Sequence, residues 1–218
     1  KFSYLCRMQD DERKIDSYKT LKVYQKAICV FDITCYFVER FLDRGHDRTV
    51  DQMQQAARSG KQNIVEGYSD AEGSTDSEHK LTVIAKGSLE ELKEDFQDYL
   101  RTHHLPIWQQ TDFKYQQCIP RFSRHNDTEY YMKQIKDRCA EDVANIALIV
   151  IYQTLAMLHG YIKFINRKFL EQGGVKEQRY WKRVQYRESR DGRFSRFGRD
   201  NDPTTPNNPT PPTTPKKN

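Results

Sequence analysis

Apolar side chains recur at alternating steps of three and four over residues 18–43: Leu21, Tyr24, Ile28, Phe31, Cys35, Val38 and Leu42. No glycine or proline interrupts them, so the spacing predicts an α-helix. Val23, Val30, Ile33 and Phe37 add a second apolar strip to the same segment. The two strips together are wider than one packing face needs. The helix is therefore expected either at the centre of its own bundle or with its second strip against another subunit.

Gly45 ends this helix, and Thr49 begins the next with Gln52 at capping-box spacing. Met53, Ala56, Ala57, Gly60 and Ile64 form a narrow face of small side chains that permits close helix approach. Gly67 is expected to stop the helix, because glycine accepts the left-handed conformation readily. Thr75 and Glu78 give a second capping box, and Leu81, Ile84, Ala85, Ser88, Leu92, Phe96 and Tyr99 carry a helical face to about His104. Pro106 forbids its continuation.

Residues 105–125 are expected to be an aromatic-rich connection packed on the bundle, with Trp108, Phe113, Tyr115, Cys118 and Phe122. Asn126 and Glu129 are expected to open one long helix reaching Gln172, ended by Gly173 and Gly174. Its middle, residues 143–165, is apolar enough to raise a membrane span. Asn145, Gln153, Thr154, His159, Gly160 and Lys163 interrupt it and favour a buried helix instead. A short fifth helix over 175–189 docks through Tyr180, Trp181 and Val184.

No strand pattern survives this reading, which predicts an all-α fold: an antiparallel up-down four-helix bundle. Residues 1–14 form an N-terminal extension and 15–174 the bundle. Residues 175–190 are a basic helical suffix, and 191–218 an Arg/Pro/Thr-rich disordered tail.

Charge sharpens this division. The 218 residues carry a net +5. Residues 176–218 hold eleven Lys or Arg against five Asp or Glu, a net +6 that leaves −1 for the rest. A nearly neutral body with a basic end suggests an arm that seeks polyanions. Five cysteines with no Cys-x-x-Cys pair, and no visible signal peptide, predict reduced thiols in a cytoplasmic protein.

Two stretches carry a family resemblance. One is residues 21–27, Leu-Lys-Val-Tyr-Gln-Lys-Ala. The other runs from Ala56 through Asn63-Ile64-Val65-Glu66-Gly67 and on to Gly87-Ser88-Leu89-Glu90-Glu91-Leu92. In this order and spacing they resemble the four-helix-bundle family of 23S ribosomal RNA intervening-sequence proteins. That family includes the accessory variability determinant of diversity-generating retroelements. Residues 169–174 and the Arg-aromatic run after them are similar to its "four helix bundle suffix domain" branch, found in Bacteroidetes-type bacteria. The chain departs from the family pattern at Gln55, Gly60 and Lys61, where the family has Arg, Ile and Pro. The resemblance implies a homo-oligomer, pentameric in the retroelement relatives, that binds nucleic acid and a reverse transcriptase.

No enzyme motif is present: no phosphate-binding Gly-rich loop, no His-Glu-x-x-His, no Gly-x-Ser-x-Gly. Asp43-x-x-His46 and Asp76-x-x-His79 lie at helix ends, which does not suit a metal bundle, so neither metal nor cofactor is expected. Cys29 and Cys139 are expected to be buried inert thiols. His103 and His104 suit a helix C-terminus. Asn63 and Glu66 are expected in the last turn of their helix, with Glu66 accepting hydrogen bonds at a junction.

The basic end carries the candidate binding residues: Arg179, Trp181, Lys182, Arg183, Arg187, Arg190, Arg193, Phe194, Arg196, Phe197 and Arg199. From Arg187 onward the arginines recur every third residue. In an extended polyproline-like arm that period aligns them on one edge with aromatics between. The expected function is a non-enzymatic, self-associating accessory protein that binds nucleic acid, RNA before DNA, with no membrane role. The alternative is a protein–protein scaffold whose tail serves solubility.

Overall fold

In the computed structural model, which describes residues 17–43, 49–71 and 73–194 (17, 172 and 190–194 by backbone alone), every regular element is helical. A 3-10 turn, Ser17–Thr20, leads into α1 (Lys22–Phe41). Then come α2 (Thr49–Asp70), α3 (Thr75–Thr102), α4 (Phe113–Phe122), α5 (Thr128–Ile135), α6 (Ala140–Gln172) and α7 (Val175–Phe194). The chain divides into two units, Lys1–Gln178 and Arg179–Asn218.

Within the first unit α1 packs on α2, α5 and α6, α3 packs on α2 and α6, and α4 rests on α6. Tyr161 of α6 donates to Glu78 near the start of α3, and Tyr152 accepts from Gln97 further along it. These two helices therefore run antiparallel. The core takes its side chains from all of these helices, with Ile33, Phe37, Met53, Ile64, Leu89, Leu92, Phe96, Leu100 and Ile151 fully enclosed. Phe37 sits edge-on to Phe96 and Tyr99 at ring distances of 5.0 and 4.8 Å. Such pairs add about 0.5–1.5 kcal/mol beyond the area they bury.

On α1 the second strip proves to be the core face: Val23, Val30, Ile33 and Phe37 are buried. Leu21, Tyr24 and Phe31 of the first strip are half-buried against the same core, and Lys61 lies over the Phe31 ring at 4.1 Å. The helix is therefore wrapped by its own chain, and its width needs no second subunit.

The α2–α3 contact is close at two glycines. A Cβ on Gly60 would meet Leu89 Cδ2 at 2.7 Å, and one on Gly67 would meet Leu81 Cβ and Glu78 O at 3.3 Å. Gly67 does not stop α2, as expected from sequence, but lies buried within it, three residues before Asp70. The same residue type serves either purpose, and here close approach decides. The cap of α3 is Ser74, whose Oγ accepts from Ser77 N at 3.2 Å. It is not Thr75, and Glu78 faces inward at 3% exposure to accept from Tyr161 at 2.7 Å.

The expected fourth helix is two helices. α5 ends at Ile135, Asp137 takes a left-handed φ of 63°, and Cys139 opens α6 with extended backbone. Asp137 is not glycine, but Asp tolerates this region better than most residues, so no glycine marks the break. The cap of α5 is Asp127, accepting from Tyr130 N at 2.8 Å, in place of Asn126. The connection before it contains α4, with Pro120 inside the helix. Trp108 and Phe122 are buried, as expected of a packed segment, while Phe113 is 73% exposed. Buried Asn145 of α6 holds that segment down: it accepts from Trp108 N and donates to Pro106 O.

A buried lysine ties the far side of this segment to α1. Lys26 is fully enclosed and donates to Phe122 O at 2.6 Å, to His125 O, and to Tyr131 Oη at 2.8 Å. Three ammonium protons thus meet three acceptors. Burial, with no carboxylate bonded to it, lowers the amine from 10.5 to about 8.

The helical stretch beginning at Ala140 contains an 18-residue window of mean hydropathy 1.6, long and apolar enough to cross a membrane. Burial covers 61% of that window, as in the core helix of a globular body. Gly173 ends α6 with φ 69°, and its N–H returns to Phe169 O at 2.9 Å.

Candidate nucleic-acid interface

α7 follows directly after Gly173 and Gly174. Gly174 N donates to Glu177 Oε2 at 3.0 Å, which satisfies one of the free amides of the first turn. The helix then runs to Phe194, past the expected end near Ser189 and into the span read as disordered. An extended arm is therefore not what this segment forms. Arg196, Phe197 and Arg199 lie outside the described residues, as do Gly45, His46 and the N-terminal extension.

A helix advances about 100° per residue, which re-sorts the residues read at a period of three. Arg179, Lys182, Arg183 and Arg187, with positions 190 and 193, fall on one arc about 140° wide. These are the six cations between Arg179 and Phe194. From Arg179 to Phe194 the only other positions on that arc are Tyr186 and 194, both aromatic; Val175 and Lys176 of the first turn also fall on it. Glu188 and position 191 fall on the opposite side. Arg179, Lys182, Arg183, Tyr186 and Arg187 are exposed, Tyr186 at 68%.

Trp181 is not brought to this face. It lies across the helix, half-buried and edge-on to Tyr180 at 5.5 Å. Tyr186 is the residue the candidate set omitted. It stands at i+7 from Arg179, a helical spacing that the arginine triplet period does not share.

The residues of the family resemblance lie elsewhere, on α2 and α3. Asn63 donates to Ser59 O at 2.9 Å and Ser59 Oγ at 3.2 Å, and Ser59 Oγ lies 2.8 Å from Ser88 Oγ. Asn63 and Ser88 thus belong to one polar link between the helices. Glu66 lies four residues from the end of α2, exposed, and it has no hydrogen bond or ion pair among the described residues. Gly87 faces open space.

Ser88 and exposed Glu91 line a groove of about 600 Å³ with Asp51, Gln55, Ser59 and Asp95. Burial, helped by Asp98 and Glu91, raises the Asp95 carboxyl above its usual range. Three carboxylates around one groove repel a polyanion.

Among the described residues no three His, Cys, Asp or Glu side chains gather as a metal site requires. His103 caps α3 with Nδ1 2.9 Å from Tyr99 O. Cys29 is buried, which pushes its thiol up to about 11. Cys139, expected to be buried, is exposed at the start of α6, because the break after α5 carries it out of the helix interior.

Comparison with family models, with curated proteins and with solved structures returned no match.

Proposed function

We propose that this protein is a non-enzymatic nucleic-acid-binding accessory protein that engages its target through the cationic arc of α7. The observation that carries the reading is the sorting of that helix. From Arg179 onward every position on one arc is cationic or aromatic, and both acidic positions of that span fall off it. Arg pairs with phosphate through two parallel hydrogen bonds, and an exposed tyrosine among cations offers a ring to bases. The acidic groove on α2–α3 supports placing the target on α7.

Two finer readings belong to the same proposal. The four long helices α1, α2, α3 and α6 form an antiparallel up-down bundle. The family resemblance adds self-association, as a pentamer, and a reverse transcriptase partner; the cysteine pattern adds a cytoplasmic location. The expectation of RNA before DNA suits an extended arm, whereas this segment is helical to Phe194.

The test is fluorescence anisotropy with labelled oligonucleotides at several salt concentrations. It compares the full chain with the variant Arg179→Glu/Arg183→Glu/Arg187→Glu, all exposed positions. The expected result is a steep fall of affinity with salt for the parent and loss of binding in the variant at unchanged melting temperature. Salt-insensitive or undiminished binding would move the site off α7. No binding by the parent would leave the protein–protein scaffold. Light scattering on the same preparation reads the oligomer.

A further inference from the structure

Resting on that reading, we infer that the target of α7 is double-stranded DNA, with the helix lying in the major groove. An α-helix with its side chains is about 10–12 Å across, and the B-form major groove is about 12 Å wide. The cationic arc, about 140° wide, divides as such a seat requires. Lys182 and position 193 lie at one edge, Arg183 and Arg187 toward the other. Arg179 and position 190 lie between them, beside Tyr186. The two edges meet the phosphates of the two strands. Arg179 meets a base edge, where guanine offers O6 and N7, and Tyr186 meets a thymine methyl group.

Length agrees. Arg179 to Arg193 spans about 21 Å of helix, or about six base pairs at 3.4 Å each.

Other polyanions fit this helix less well. The major groove of A-form RNA is deep and narrow, closed to a helix of this width. A single strand would gain from splayed aromatics, but only Tyr186 and position 194 lie among the cations, and Trp181 faces away. A lipid surface needs an apolar face opposite the cations. Here that side carries Glu188 and position 191 with Trp181 and Val184.

The experiment measures binding of the full chain to three probes of equal length and sequence: a DNA duplex, an RNA duplex and single-stranded RNA. The DNA duplex is expected to bind about tenfold or more tightly than either other probe. The three exposed edge cations, Lys182, Arg183 and Arg187, on phosphates give a log–log salt slope of about −2.7.

Two variants test the helix itself. Gln185→Pro keeps the identity of every residue of the arc but breaks the helix at an exposed position off it. It is expected to abolish the DNA preference, while Gln185→Ala keeps it. Arg183→Glu/Arg187→Glu keeps the helix and is expected to lose duplex binding. Equal or tighter binding of single-stranded RNA, equal binding of the two duplexes, or a DNA preference that survives Gln185→Pro would each overturn the inference and leave nucleic-acid binding standing. Failure to bind all three probes would remove both.

Discussion

Replacing Gly60 with alanine would set a methyl carbon 2.7 Å from Leu89 Cδ2 and 2.8 Å from Leu89 Cγ. Ordinary carbon–carbon contact begins near 3.5 Å, so about 0.7 Å or more must be found. Leu89 is fully buried and cannot swing into solvent. Two effects oppose each other. Alanine in place of glycine inside a helix gains up to about 1 kcal/mol. Overpacking a filled core costs about 1–3 kcal/mol. Because Cγ as well as the methyl terminus is struck, the overpacking is expected to win, for a net loss of about 1–2 kcal/mol.

Leu89→Ala alone is expected to cost about 2–5 kcal/mol. In the double variant the new methyl occupies part of the vacated space, so the loss should fall short of the sum by about 1 kcal/mol or more. Urea unfolding followed by circular dichroism, at constant m-value, reads all three. A stabilised Gly60→Ala, or a cycle additive within about 0.5 kcal/mol, would refute close helix approach as the role of this glycine.

Three further outcomes are expected. The Lys26 amine titrates near 8 in the folded protein and at 10.5 unfolded. Above pH 8 the unfolded chain therefore holds more protons there, and stability should rise by about 1 kcal/mol from pH 7 to 9. Above pH 9 the raised Cys29 thiol acts in the opposite sense, and Lys26→Met should flatten the rise; a parent profile that falls from pH 7 to 9 would contradict it. Tyr161→Phe leaves the enclosed Glu78 without its donor and should cost about 1–3 kcal/mol; an unchanged urea midpoint would deny that bond any role. In the native state Cys139 should react with a thiol reagent well before Cys29, read by peptide mass spectrometry; equal rates would contradict the burial difference.

The long periodic segments were legible because their cores repeat at helical spacing over many turns: α1, α3 and the glycine stop of α6 emerge from pattern alone. The break between α5 and α6 was not, since Asp137 adopts a conformation that sequence reading reserves for glycine. Gly67 shows the converse, a stop signal spent on packing. Ser74 took the cap from Thr75 because both can cap, and only the direction of Glu78, inward to Tyr161, distinguishes them. On α7 the cations were visible as residue types. Their arrangement was hidden because a three-residue period suggests an edge only if the backbone is extended. No local cue in the Arg-Gly-Ser composition declares that the helix persists to Phe194.

Lys26 also bears on the order in which the chain assembles. Its three acceptors stand 96, 99 and 105 residues away along the sequence. The carbonyls of Phe122 and His125 converge only once α4 and α5 have closed back on α1, after a long loop has been ordered. Until then the ammonium keeps its water. The cage is therefore expected to close late, on the native side of the folding barrier. Disturbing it should quicken unfolding while leaving the folding rate almost untouched, which makes this buried cation a determinant of how long the folded molecule lasts.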